Sequence, residues 1–146
     1  MSFKVLSDTA DSWAVLLPEV PDHYDGSAAL LRTARSLFVH SWFDYEFMAV
    51  GCLIALQAVE AAIRLLYPEA EKVPARALAR RAAEDKHLPQ NIADLAITGF
   101  ELRNQFSHPA TQGVFTPGMA ASVLENSHHL VALVLASVAV RDAESI

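Results

Sequence analysis

The chain contains little cysteine and little glycine. Cys52 is its single cysteine among 146 residues, which excludes a disulfide scaffold and a cysteine-based zinc cluster and fits a reducing compartment. Five glycines and seven prolines are too few for a collagen-like chain or a linker, and 53% hydrophobic residues are too many for a disordered protein. Cys52 lies in an apolar segment, so we interpret it as a small core residue. The length fits one folded domain.

Long apolar runs are also missing. The two longest, Phe47–Leu56 and Leu130–Val140, have ten and eleven residues, whereas a membrane-spanning helix needs about 20 consecutive apolar residues. The first 13 residues carry acidic side chains and no apolar core with a cleavage site after it, which is unlike a signal peptide. We therefore expect a soluble, cytoplasmic protein without a membrane partner.

Positive charge is scarce. Eleven basic residues stand against 17 acidic ones, a formal net charge of −6, which argues against a protein that coats nucleic acid through bulk charge. A local basic groove remains compatible with this balance. If the chain binds RNA, its basic residues must concentrate around one cleft and its acidic excess must lie elsewhere.

The hydrophobic pattern indicates helices and no strands. Apolar residues recur every three or four positions after Gly26, and no segment alternates with a period of two between turn signals. We predict an all-α bundle of four to five helices as a single domain over residues 27–146. Pro18, Pro21 and the Asp25-Gly26 pair predict that residues 1–26 form an irregular arm, with at most one short turn near Ser12–Leu17.

Turn and cap signals divide the helical region. Ser41 or Asp44 is suited to cap the second helix, and Thr116 followed by Pro117 is suited to start the last one. Leu78 and Ala82 form the inner face of the third helix. The predicted helices span Ser27–Val39, Tyr45–Tyr67, Pro74–Lys86, Pro89–Phe106 and Pro117–Arg141. The apolar stripe of the fourth helix is Ile92, Leu95, Ala96, Gly99, Leu102 and Phe106.

The second and last helices are apolar on nearly every side. Two interpretations remain open: an ordinary core around a central helix, or an apolar face that forms a homodimer interface. A purely structural helical oligomer is a further possibility with no other support in the sequence.

The segment most indicative of chemistry is Arg103-Asn104-x3-His108, followed by Pro109. Arginine and asparagine together, then histidine at this spacing, are expected by chance in fewer than roughly one in a hundred chains of this size. Pro109 disfavours helical conformation at His108, so the helix should open there and let the imidazole swing toward the guanidinium. Arginine grips phosphate through its planar fork, and histidine exchanges a proton near neutral pH. The pattern favours a phosphate site at a helix end.

This motif, preceded by the helix segment Ala58–Arg64, resembles the HEPN superfamily (higher eukaryotes and prokaryotes nucleotide-binding), Arg-Asn-x3-His subtype. The resemblance covers about Ser27–Arg141. It implies an all-helical domain that forms a homodimer, with the two motif copies near the dimer interface. Many members are metal-independent endoribonucleases of toxin–antitoxin or phage-defence systems that need no cofactor, and some are paired with an antitoxin nucleotidyltransferase.

The resemblance also implies roles for the motif residues. The RNA 2′-hydroxyl would attack the adjacent phosphate and leave a 2′,3′-cyclic phosphate. His108 would be the general acid or base, Arg103 would stabilise the charged phosphorus and Asn104 would orient the site. Other members are non-catalytic modules that bind a nucleotide or a protein, which is the alternative function.

Each candidate residue has a simpler interpretation. The motif could be a solvated helix terminus, where a cation complements the helix dipole. Glu60 could orient Arg103, or it could pair with Arg64. Adjacent His128 and His129 point about 100° apart and lack a partner at matching spacing, so we do not predict a metal site.

The arginine cluster on the third helix is a further candidate. Arg76, Arg80 and Arg81 could form an RNA-binding stripe. However, Arg80–Glu84 and Arg81–Asp85 have the four-residue spacing of ion pairs within a helix. The solvated, paired face is the favoured interpretation.

Overall fold

Helices account for the secondary structure of the described chain. The computed structural model describes residues 2–19, 24–106 and 116–145, and no strand occurs within these ranges. The all-α prediction is confirmed, but these ranges contain six helices and not four to five. They are α1 (Phe3–Ala14), α2 (Asp25–His40), α3 (Glu46–Leu66), α4 (Ala75–Glu84), α5 (Gln90–Phe106) and α6 (Pro117–Glu144).

The sixth helix, α1, corrects the prediction of an irregular arm over residues 1–26. The hydroxyl of Ser2 accepts a hydrogen bond from the Val5 amide and caps the helix. Leu6, Ala10 and Trp13 follow at spacings of four and three and are buried. The first proline of this region is Pro18, which lies beyond the end of α1, so the prolines do not interrupt this helix.

Polar caps and small residues set the hairpin of α2 and α3. Asp44 accepts a hydrogen bond from the Glu46 amide at 3.1 Å, which confirms it as a cap, whereas the Ser41 hydroxyl donates back to the Phe38 carbonyl. Gly51 lets the two helices approach closely, since a Cβ there would lie 3.2 Å from the Ala34 carbonyl oxygen. The predicted cap of α6 is also confirmed, because the Thr116 hydroxyl accepts from the Met119 amide at 3.2 Å.

Helix α3 is the centre of the bundle, in agreement with the interpretation of its apolar sides as core. It packs against α2, α4, α5 and α6. Leu56 of α3 lies opposite Gly99 of α5, and Glu60, one turn further along α3, contacts Arg103. Arg141 of α6 donates to the last carbonyls of α3, Leu65 at 2.9 Å and Leu66 at 3.2 Å.

The apolar tract of α6 is mainly core. Its buried members are Leu130, Val131, Val134, Leu135 and Val138. Leu133 and Val140, seven residues apart and therefore on one face of the helix, are 42% and 58% exposed. The core interpretation holds for the inner face, and the dimer interface remains a prediction for the outer one.

Two helices have the length and composition of membrane spans. These helices are α3 and α6, and 50% and 44% of their most apolar windows are buried inside the protein. The continuous apolar runs in the sequence are shorter because polar residues interrupt them. Buried core helices of water-soluble proteins share this length and composition, so these two features alone do not assign a helix to a membrane.

Helix α5 is rotated relative to its predicted stripe. Its buried side is formed by Ala93, Ala96, Gly99 and Phe100. Leu95 is 46% exposed, and Ile92 and Leu102 are half-buried. The reason is that α5 packs on α3 and α4 and makes few contacts with α6, so part of its apolar stripe faces a groove. Leu78 and Ala82 of α4 are buried, as predicted.

Candidate functional site

Arg103 lies in the last turn of α5 and its side chain turns toward α3. The guanidinium forms an ion pair with the carboxylate of Glu60, and each side chain is 25% exposed. The ring of Phe100, one turn earlier on α5, lies 5.6 Å from the guanidinium carbon. The ion pair is therefore partly shielded from water, with the Phe100 ring on one side.

Glu60 binds two arginines at once. Oε1 accepts from Arg64 Nε at 3.2 Å and from Arg64 Nη2 at 3.0 Å, while Oε2 accepts from Arg103. Both sequence interpretations of Glu60, contact with Arg103 and pairing with Arg64, describe real contacts. Burial alone would raise the pKa of Glu60, but the hydrogen bonds from Arg103 and Arg64 outweigh burial and lower it. Glu60 is therefore an ionised positioning group at neutral pH.

Arg64 extends this cluster to the chain segment before α4. Its Nη1 donates to the Val73 carbonyl at 3.0 Å. The Glu60 carboxylate thus connects α3 to the end of α5, and Arg64 connects it to the α3–α4 connection. The guanidinium of Arg64 is bound by Glu60 on one side and by the Val73 carbonyl on the other, so it has little rotational freedom.

The other motif residues are placed differently. Asn104 is exposed, and its position follows Arg103 by about 100° around the helix. His108 lies outside the described residues. The predicted convergence of the three side chains therefore remains a prediction, with only the Arg103–Asn104 half of it located.

The predicted arginine stripe does not extend the Arg103 cluster. Arg76 lies 3.9 Å from Glu101, which is 200° from Arg103 around α5. Arg80 is exposed and has no acidic partner among the described residues, so its predicted pairing with Glu84 is not present. The arginine that the structure brings to the site is Arg64.

Arg81 is occupied by other contacts. Its guanidinium lies 3.3 Å from Glu69, 3.7 Å from Asp85 and 4.1 Å from the centre of the Tyr67 ring. The predicted pairing with Asp85 is confirmed. These partners hold Arg81 at the junction between α4 and the segment that precedes it.

Sequence reasoning missed a second polar cluster, around His128. The imidazole is fully buried, with Nδ1 2.6 Å from the Leu124 carbonyl and Nε2 3.0 Å from Arg35 Nη1. Arginine is always a donor, so Nε2 must accept and Nδ1 must carry the proton. Burial lowers the pKa of His128 to about 4.

A spacing signal for this cluster was available. Arg35 follows the buried Leu31 by four residues, which places it on the inner side of α2. Within the described ranges no group of three or more histidine, cysteine or acidic side chains is arranged to hold a metal. Cys52 is buried as predicted, and burial raises the pKa of its thiol to about 12.

A groove lies beside the Arg103 cluster, between α5 and α6 and above α3. Its volume is about 140 Å³. Leu56 and Val59 of α3 line it, and Glu60 follows them on the same helix face. Gly99 and Leu102 of α5 line the groove as well, and Arg103 follows Gly99 on the same face of α5. The ion pair therefore lies about one helical turn beyond the groove.

Comparison with protein-family models, with curated proteins and with solved structures found no match to this chain. The resemblance to the HEPN superfamily accordingly rests on the motif and its helical context.

Proposed function

We propose that this protein is a metal-independent endoribonuclease of HEPN type. The observation that carries the proposal is the Arg103–Asn104 pair in the last turn of α5, with Arg103 held by Glu60 of the central helix. An arginine fixed in position stabilises the charge of a phosphorus under attack without reorganising during the reaction. RNA would supply its own nucleophile, the 2′-hydroxyl, and His108 would transfer the proton.

The cellular setting that fits this activity is a toxin–antitoxin pair or a phage-defence system. An enzyme that cuts RNA without a metal needs a means of restraint, which a neighbouring antitoxin such as a nucleotidyltransferase would provide. Finding such a gene beside this one would support the proposal.

The test is cleavage of RNA by the purified protein in the presence of EDTA. We expect products that end in a 2′,3′-cyclic phosphate, and loss of at least about 100-fold in rate for His108→Ala. His129→Ala is the matched control, because His129 is an exposed histidine on α6 and lies outside the motif. Equal cleavage by His108→Ala and the unsubstituted protein would refute the assignment.

Arg103 needs a more conservative substitution, because removing its guanidinium leaves Glu60 with one partner fewer. Arg103→Lys keeps the positive charge and loses the planar fork. We expect slower cleavage with little change in folding, the latter checked by circular dichroism. Arg32→Lys, at an exposed position of α2, is the control and should cleave normally.

A second candidate is a non-catalytic module that binds a nucleotide or a protein. The observation that favours it is the half-buried Glu60–Arg103 ion pair, which neutralises the motif arginine in a chain of net charge −6. Calorimetry with nucleotides and RNA separates the candidates. Saturable nucleotide binding without RNA turnover would favour the module.

We also propose a homodimer that uses the outer face of α6. Leu133 and Val140 present an apolar strip there. We expect sedimentation equilibrium to show a dimer that Leu133→Asp dissociates. Val15→Asp, at a residue 83% exposed on another segment, should leave the dimer intact.

A further inference from the structure

The groove between α5 and α6 has an aliphatic floor. The residues at its base are buried hydrocarbons and one glycine: Leu56, Val59, Ala96, Gly99 and Leu130. None of these side chains carries a hydrogen-bonding group. Water in the base of the groove would therefore lack the two to four polar partners that hold a buried water molecule in place.

Most polar groups of the groove lie at its rim. Thr98 on α5 and Ser122, Asn126 and His129 on α6 all line it, and all four are exposed. Ser127 also lines the groove and is buried, but its hydroxyl already donates to the Val123 carbonyl at 2.7 Å. Asn126 supplies both a donor and an acceptor, and His129 supplies ring nitrogens. An occupant would thus meet hydrocarbon at one end and hydrogen-bonding groups at the other.

The volume limits the size of an occupant. Engineered aliphatic cavities of about 150 Å³ stay dry and bind benzene, and this groove has about 140 Å³. One six-membered ring, or a branched hydrocarbon of similar size, fills it. The glycine at position 99 also keeps this space open, because a Cβ there would lie 2.8 Å from Leu56 Cδ2 and displace that side chain.

We propose that this groove binds a small molecule with one apolar ring and one hydrogen-bonding group, the ring on the aliphatic floor and the polar end at Asn126 and His129. This goes beyond the proposed ribonuclease activity, because the groove contains neither Arg103 nor Asn104. A nucleobase fits it poorly, since polar atoms on its buried edge would lose their hydrogen bonds to water without replacement.

The experiment uses 4-methylphenol and toluene as test ligands on the full chain, with titration calorimetry and methyl NMR. We expect one 4-methylphenol per chain, with shifts at the Leu56, Val59 and Leu130 methyl groups. Toluene should bind about 2- to 10-fold more weakly, because it lacks the hydroxyl. Asn126→Ala should weaken 4-methylphenol and leave toluene unchanged.

Val123→Phe, at a half-buried position of the groove wall, should abolish binding of both ligands, and Val50→Phe, at an exposed position of α3 outside the groove lining, should not. If Val123→Phe fails to fold, the Asn126→Ala comparison and the methyl shifts still decide. Absence of saturable binding, or shifts away from the three groove residues, would overturn the proposal. So would tighter binding of uridine at the same methyl groups, or self-association that Asn126→Ala or Val123→Phe abolishes.

Discussion

Lys86, which follows the C-cap residue Asp85 of α4, adopts a left-handed backbone conformation with φ of 62°. The Lys86 amide donates to the Ala83 carbonyl at 3.1 Å and the His87 amide donates to the Ala82 carbonyl at 2.9 Å. These two bonds form a Schellman motif, in which glycine is the usual residue at the left-handed position. A lysine there carries the steric cost of its Cβ against the backbone.

We predict that Lys86→Gly increases the free energy of unfolding by about 1 kcal/mol, because glycine adopts this conformation without that cost. Urea unfolding followed by circular dichroism measures the change. Lys86→Ala retains a Cβ and serves as the control, with an expected change below about 0.5 kcal/mol. An equal gain from both substitutions would show that loss of the lysine side chain, and not backbone relief, is responsible.

His128 makes stability depend on pH. Its pKa in the folded protein is about 4, below the ordinary 6.5. Between these values the unfolded chain binds a proton that the folded protein does not, so stability falls as the pH is lowered from 6.5 to 4. We predict a contribution on the order of 3 kcal/mol over this interval, measured as the free energy of unfolding in urea at a series of pH values.

The matched pair for this prediction is His128→Gln and His129→Gln. Glutamine at 128 removes the titrating group, so that variant should be less stable at pH 7 and lose this part of the pH dependence. Glutamine at 129 changes an exposed side chain and should retain it. A pH dependence unchanged in His128→Gln would assign the effect to carboxylates elsewhere in the chain.

At the level of elements, the contact between α3 and the end of α5 depends on one carboxylate. Glu60→Gln leaves the guanidinium groups of Arg103 and Arg64 with a neutral partner in a half-buried position. We predict a loss of about 1–3 kcal/mol in the free energy of unfolding, measured by urea unfolding at pH 7. Glu60 also has a lowered pKa, so its contribution is present above the unfolded pKa and is lost as the pH falls through the folded one.

Glu101→Gln is the control for that measurement. Glu101 is paired with Arg76 at 3.9 Å on the exposed side of α5, so we expect a change below about 0.5 kcal/mol. Similar losses from both substitutions would mean that burial of the Glu60 cluster adds nothing to its stability.

At the scale of the whole molecule, α1 belongs to the main core. Trp13 packs with its ring centre 5.0 Å from that of Phe38 and 5.8 Å from that of His128, which joins α1 to α2 and α6. We predict that Trp13→Ala lowers the free energy of unfolding by about 3–5 kcal/mol, because it opens a cavity between three helices. Thermal and urea unfolding followed by circular dichroism measure the loss.

Val15→Ala is the control, since Val15 is 83% exposed just beyond α1. Its effect should be below about 0.5 kcal/mol. A Trp13→Ala variant as stable as Val15→Ala would mean that α1 contributes little to the stability of the core.

Several parts of this fold were accessible to sequence reasoning because their signals are local. The Thr116-Pro117 start of α6, the Asp44 cap and the apolar centre of α3 depend on residues within one or two turns of each other. The failures have equally specific causes. The prediction of an irregular arm used Pro18 and Pro21, which break a helix only near their own positions, for residues that precede them. The apolar stripe of α5 was predicted from spacing alone, and spacing does not show which helices α5 packs against.

For the candidate site, the sequence by itself determined that arginine and asparagine follow each other in the last turn of a helix, since hydrophobic period and proline position define that helix. Only the tertiary structure decided that Glu60 binds Arg103 and Arg64 together, and that Arg35 reaches His128. The first set of features depends on neighbours along the chain. The second depends on how helices distant in sequence rotate about their axes to bury apolar area, and a periodic pattern leaves that rotation open.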